Sequence, residues 1–175
     1  MRTLMIDTRQ QKDKHNLKDE YFAKAGIVTL RSKLPVGDYT WVQDMSVVVD
    51  SKRDIQEVVG NLVQDHERFR AEAQLAKDSG IKFYVLIETT EPIYCLDDIR
   101  HWSNPRLHRY NKIRYMHQLG KWTNVKLPKR PTDNITLMKI MWTMQDKYDV
   151  NWVFSTPEDA GAKIIELLGG IDGKG

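Results

Sequence analysis

Two runs, Val47-Val48-Val49 and Phe83-Tyr84-Val85-Leu86-Ile87, are apolar at consecutive positions rather than at every second one. Successive strand side chains point to opposite faces of a sheet, so strands of this kind need cover on both faces. Helices packed on either side of a sheet provide it. Ile55, Val58, Val59, Leu62 and Val63, lying between the two runs, repeat at the i, i+3, i+4, i+7 and i+8 spacing of an amphipathic helix, with Asp54 at its N-cap. A second helix is predicted over 66–76, with Phe69, Ala73 and Ala76 on one stripe. Further strands are expected at 3–7, 27–33, 39–42, 46–52 and 151–155. Helices are expected at 17–25, 105–119, 135–148 and 157–168, the last with Pro157 at its first position. The alternation of strands and helices predicts an α/β fold, a mixed central sheet flanked by helices.

The chain has 175 residues, 41% hydrophobic and 29% charged, which suits one globular domain. That domain is expected over 1–168, with a glycine-rich flexible tail at 169–175. A chain of this length buries about 70% of its extended surface, so its core needs no staples. The lone Cys95 cannot form an internal disulfide, which points to a reducing, cytoplasmic compartment. No apolar run reaches the length of a signal peptide or a membrane span. A compact chain of this kind suits a prokaryotic or phage-infected cell.

The net charge of +3 is unevenly distributed. Residues 89–134 hold nine Lys/Arg against four Asp/Glu, while the remainder holds 18 against 20. A weakly acidic body with a basic segment suits a polyanionic partner. Within that segment Trp102, Tyr110, Tyr115 and Trp122 alternate with Arg106, Arg109, Lys112, Arg114 and Lys121. Lys126, Lys129 and Arg130 follow in an expected loop. Cations neutralise phosphates and aromatic rings stack on unpaired bases. Leu107, Tyr110, Ile113 and Met116, spaced by three, also read as the packing stripe of an ordinary helix.

Candidate chemistry lies at the strand ends. In Ser46–Lys52, Asp50 and Lys52 share one face, while Val47, Val49 and Ser51 share the other. Asp38 follows Gly37 at the start of the neighbouring hairpin strand, so pairing of the two strands brings Asp38 and Asp50 together. Two carboxylates and a lysine suffice to hold Mg²⁺ or Mn²⁺ and to hydrolyse a phosphodiester. Taken alone, Asp50-Ser51-Lys52 also reads as a surface ion pair closing a strand, worth about 1 kcal/mol or less.

The order Asp7-Thr8-Arg9, Gly37-Asp38, Asp50-Ser51-Lys52, then Arg70 and Gln74, resembles the nuclease domain of the XPF family. These are structure-specific DNA endonucleases of the PD-(D/E)XK, restriction-endonuclease-like superfamily, Hef among them. The resemblance implies Asp38, Asp50 and Asp7 as metal ligands, Lys52 as the catalytic lysine, and Arg9 on the scissile phosphate. It places Arg70 and Gln74 toward the site or the DNA backbone. It also implies cleavage of branched or junction DNA, leaving a 5′-phosphate and a 3′-hydroxyl, and a homodimer; the helix 135–148 is apolar enough to contribute to that interface and reads equally as plain core. Arg106, Arg109, Lys112, Arg114, Lys126, Lys129 and Arg130 are the expected DNA contacts, and Glu20 is a further candidate carboxylate. The sequence departs from the family where its Glu is Asp50, its middle Arg is Ser51, and its trailing acid falls at Gln56. Glu57 is a substitute acid, or with Asp54 a capping box. A catalytically inactive DNA-binding member and a Holliday-junction-type resolvase are the alternatives. No Walker-type loop or zinc signature is present, so no nucleotide cofactor is expected.

Overall fold

The computed structural model describes residues 2–10 and 16–171. Six strands form one sheet: β1 (Thr3–Asp7), β2 (Val28–Ser32), β3 (Tyr39–Trp41), β4 (Asp44–Lys52), β5 (Lys82–Glu88) and β6 (Val150–Ser155). Their order across the sheet is β2-β1-β3-β4-β5-β6. The β1/β2, β4/β5 and β5/β6 pairs are parallel. β3 runs antiparallel to both β1 and β4, so the sheet is mixed, as expected.

Helices cover both faces. The even-numbered side of β4 and the odd-numbered side of β5, through Val48, Phe83, Val85 and Ile87, pack on α2 (Ile55–Val59), α3 (His66–Asp78) and α5 (Asn134–Tyr148). Val49 and Leu86 point the other way, onto Phe22 of α1 (Asn16–Lys24) and Ile164 of α6 (Ala160–Leu167). The two apolar runs are therefore buried from both sides for the reason their composition implies. Trp41 Nε1 donates to the Leu168 carbonyl at 3.0 Å, tying the end of α6 to β3.

Several elements differ from expectation. The helix predicted through Val63 stays α-helical only to Val59, then widens into a π-helical turn over Gly60–Gln64. α6 starts at Ala160 rather than Pro157, because the Thr156 hydroxyl donates to Asp159 Oδ2 and accepts from the Asp159 amide, holding 157–159 as a turn. A 3-10 turn, Leu96–His101, was not anticipated; Asp98 caps it by accepting from the Tyr94 and Cys95 amides. α4 (Pro105–Gln118) forms as expected but buries only Ile113, leaving Leu107, Tyr110 and Met116 partly covered. Of the expected tail, residues 172–175 lie outside the described residues, whereas Gly169 and Gly170 close α6 with bonds back to Glu166 and Ile165. Among the described residues no helix is long and apolar enough to cross a membrane.

Candidate active site

The β3/β4 register builds the site. Tyr39 pairs with Val49, the Asp38 amide donates to the Val49 carbonyl at 2.9 Å, and the Ser51 amide donates to Asp38 Oδ2 at 2.9 Å. Asp38 thus lies beside the end of β4, where Asp50 and Lys52 share its face. Gly37 makes this approach possible. Its φ is +63°, and a Cβ there would stand 2.3 Å from Val48 Cγ1 and 3.2 Å from the Val49 carbonyl oxygen. Its amide donates to Glu72 Oε1 at 2.7 Å.

Asp38, Asp50, Lys52, Glu72, Arg9, Arg53, Glu57 and Arg68 line one cleft of about 340 Å³. Asp50 is 4% exposed, and the Lys52 side chain 12%. The surface-ion-pair reading of this tripeptide therefore fails, since both groups are largely withdrawn from water. Lys52 Nζ lies 2.7 Å from Asp50 Oδ2 and 5.9 Å from the centre of the Phe69 ring. Burial pulls the Lys52 pKa down, but the Asp50, Asp38 and Glu57 carboxylates more than offset this and hold it above the ordinary lysine value. Lys52 is accordingly a cation at any working pH. Burial, reinforced by the neighbouring Asp50, pushes the Asp38 carboxyl well above the usual carboxylate range, against the pull of Lys52 and the Ser51 amide. Burial also raises Glu72, again with help from Asp50.

The donor set suits a hard divalent ion. Asp50 Oδ2 is buried, with the Lys52 ammonium 2.7 Å away and no other donor in reach among the described residues. Asp38 is held toward its acid form by burial and by the neighbouring Asp50, and a bound cation would offset both. Among the described residues no group of three or more acids, histidines or cysteines gathers at metal-binding distance. Mg²⁺ is commonly held by one or two carboxylates, with water and substrate phosphate completing its shell, so the pair is sufficient.

Asp7 is the strand neighbour of Asp38, whose carbonyl accepts from the Asp7 amide at 2.8 Å, but its side chain does not line the cleft. Its Oδ1 accepts from the Arg9 amide (2.7 Å) and Nε (2.8 Å), and its Oδ2 from Arg9 Nη2 (2.9 Å) and the Leu34 amide (2.7 Å). With four donors on two oxygens, it is arranged to fix the Arg9 guanidinium at the cleft edge. Burial opposes ionisation of Asp7, yet these bonds win and lower its pKa.

Arg70 and Gln74 also lie elsewhere. They line a separate depression with Glu67, Ala71 and Tyr148, and Gln74 is bonded to Asp78. Arg68 and Glu72 reach the cleft instead. The buried stripe of α3 is Phe69 and Ala73; Arg68 and Glu72 precede these residues by one, Arg70 and Gln74 follow by one, and at 100° per residue the two pairs flank the stripe symmetrically. The helix pattern alone therefore could not show which flank meets the cleft. Glu20 is remote, on the exposed side of α1 beside Lys24. Glu57 lines the cleft rim, while Asp54 caps its amide (2.7 Å) and its own carboxylate accepts from the Arg53 amide (2.9 Å), close to the expected capping box. Gln56 does not line the cleft, so its lack of charge removes no acid from it. Ser51 points to the opposite face and donates to Glu88 at 3.0 Å.

Of the basic residues, Arg106, Arg109, Lys126, Lys129 and Arg130 border one larger cavity. Lys112 lies instead over the Trp122 ring, at 5.7 Å, and Arg114 is exposed away from the cavity.

The family model for the ERCC4 domain matches residues 6–168. No curated protein sequence matches the chain. Among solved structures it is similar to XPF from Aeropyrum pernix, with 15% identity and a TM-score of 0.58, covering 95% of this chain and 63% of that one. It is equally similar to XPF from Aeropyrum pernix in complex with DNA, with 16% identity and a TM-score of 0.58, covering 96% and 64%. The chain thus spans slightly less than two thirds of the length of these neighbours, and it shares their fold. With the motif order, the mixed sheet and the family match in agreement, the chain belongs to the ERCC4 domain family.

Proposed function

We propose that the chain is a divalent-metal-dependent DNA endonuclease acting on branched or single-strand/duplex junction DNA in a cytoplasmic setting. The observation that carries this reading is the juxtaposition of the Asp38 and Asp50 carboxylates beside a buried, cationic Lys52. Asp38 and Asp50 would hold Mg²⁺ or Mn²⁺, which when bound polarises the phosphate and acidifies a water molecule. Lys52, fixed against Asp50, orients the attacking water or neutralises charge developing on the phosphate oxygens. Arg9, clamped by Asp7, presents its guanidinium to the scissile phosphate at the cleft mouth. Glu72, through the Gly37 amide, holds the turn that carries Asp38. The products are a 5′-phosphate and a 3′-hydroxyl.

Nicking of fork, flap, four-way junction and plain duplex DNA with Mg²⁺ or Mn²⁺ tests the reading. Asp50→Asn is expected to reduce nicking by at least about 100-fold, and Lys52→Ala by about 10²–10³-fold, with DNA binding retained. Binding without nicking by the wild type in either metal would identify an inactive binding module. A preference for the four-way junction would identify a resolvase.

A homodimer is part of the same proposal. On α5, Met141 and Met144 are core residues, whereas Ile135 and Trp142, seven apart and on one face, are 43% and 41% exposed. Sedimentation equilibrium is expected to show a dimer that Trp142→Glu dissociates.

A further inference from the structure

A second cavity, of about 980 Å³, lies between the π-helical turn after α2, the face of α4, and the segment 125–132. Asn104 builds it. This residue is 3% exposed, and its side chain accepts from the Arg106 amide at 3.0 Å, starting α4, while donating to the Thr132 carbonyl at 2.7 Å, which fastens the far wall. The walls are apolar, from Val59, Val63, Ile113, Val125 and two prolines, with Tyr110 among them. Five cations border it, Arg106, Arg109, Lys126, Lys129 and Arg130, and no carboxylate does. Among the described residues only Arg130 of these has an acidic neighbour, Asp133 at 3.7 Å. The Gln56 amide also meets the cavity, with neither its nitrogen nor its oxygen bonded to a partner among the described residues.

The volume is at the upper end of the roughly 300–1,000 Å³ typical of ligand sites. Its chemistry is divided: an apolar, aromatic interior and a cationic border. A lipid headgroup or a free phosphate would leave the interior unused, and an apolar small molecule would leave the border unused. A nucleotide with its base unpaired uses both, since the base is a flat ring that stacks on tyrosine and the backbone is an anion. Paired duplex DNA cannot insert a base without unstacking it.

We propose that this cavity binds the unpaired strand of the DNA substrate, with bases against Tyr110 and the apolar walls, the Gln56 amide reaching a base edge, and the five cations along the backbone. The inference rests on the reading of the chain as a DNA-binding nuclease and adds the site that would distinguish a junction from a plain duplex. Gln56 is four residues beyond Lys52, so their Cα atoms are at most about 14 Å apart. A strand held here therefore leads toward the cleft within a few nucleotides.

Fluorescence anisotropy of the full chain in EDTA, with a labelled thymidylate oligonucleotide and a blunt duplex as probes, tests the assignment. Tyr110→Ala is expected to weaken oligonucleotide binding by about 5- to 100-fold, to change duplex binding less than about twofold, and to be rescued by Tyr110→Phe. Lys126→Ala/Lys129→Ala is expected to lower the slope of log K against log salt by about 1.4. Should Tyr110→Ala not fold, Gln56→Ala and the lysine pair, both at the border, carry the comparison. The proposal is overturned if oligonucleotide affinity is unchanged in these variants, or if duplex affinity falls equally. Nicking separates the two readings. Tyr110-dependent oligonucleotide binding without any nicking sinks the nuclease and keeps the site; Asp50-dependent nicking with oligonucleotide binding indifferent to Tyr110, Lys126 and Lys129 sinks the site and keeps the nuclease.

Discussion

Asp38 and Asp7 show how one residue type is set to opposite ends of its range. Asp7 has four donors on its two oxygens, so its charge is favoured even at 0% exposure. Asp38 is withdrawn from water with one backbone donor and an acidic neighbour, so its proton is favoured. A carboxyl with a raised folded pKa contributes stability at low pH that is lost as pH rises from the usual carboxylate range through the raised value. Metal-free protein should therefore lose melting temperature across that range, and Asp38→Asn should flatten the loss. A divalent ion should restore melting temperature in the wild type and not in Asp38→Asn. Melting curves between pH 4 and 8, with and without Mg²⁺, check this; equal pH slopes in the two proteins would refute it. Asp7 behaves with the opposite sign: its contribution is present above the usual carboxylate range and lost as pH falls. Removing it as Asp7→Ala leaves the Leu34 amide without its acceptor, while Arg9, half exposed, regains water, so by urea denaturation the change should cost about 1–3 kcal/mol.

At the scale of elements, the turn between β2 and β3 carries the site. Gly37 combines a left-handed backbone with a contact against β4 that leaves no room for a methyl group. Gly37→Ala adds backbone strain and forces Val48 aside, for a combined loss of about 2–4 kcal/mol. Because the same shift moves Asp38 from Asp50, nicking should fall more than the population of folded protein does. Denaturation and nicking measured on one preparation make the comparison. The amphipathic pattern at 55–63 identified an element correctly and missed its geometry: the turn after Val59 is wider than an α-helix. That widening presents Val63 and Gln64 to the second cavity, and side-chain periodicity carries no signal for it.

Across the whole molecule, a buried ion pair joins α1 to the end of β5. Lys18 of α1 and Glu88 at the end of β5 are 4% and 8% exposed and pair directly, with the Ser51 hydroxyl on the same carboxylate. This polar cluster lies on the face of β4 opposite the cleft. Losing one partner strands a buried charge, so Lys18→Met should destabilise by about 3–5 kcal/mol. The double variant Lys18→Met/Glu88→Leu should recover much of that loss, although it leaves Ser51 without its acceptor. Chemical denaturation of the four proteins of the cycle measures the coupling; additive single losses would contradict it. Lys18 drew no notice in the sequence and Glu88 only as the end of the Val85–Glu88 run, since a lysine on a short helix and an acid at a strand end are ordinary surface residues until the fold encloses them.

The amino-acid order by itself determined the α/β class, the element sequence, and the pairing of Asp38 with Asp50 and Lys52. Each depends on local periodicity or on the register of strands adjacent in sequence. Tertiary packing decided which flank of α3 meets the cleft, that Asp7 carries the Arg9 guanidinium and the Leu34 amide, and which five of the basic residues surround one cavity. Those outcomes follow from the direction in which one element faces another distant in sequence, a quantity that spacing along the chain does not encode.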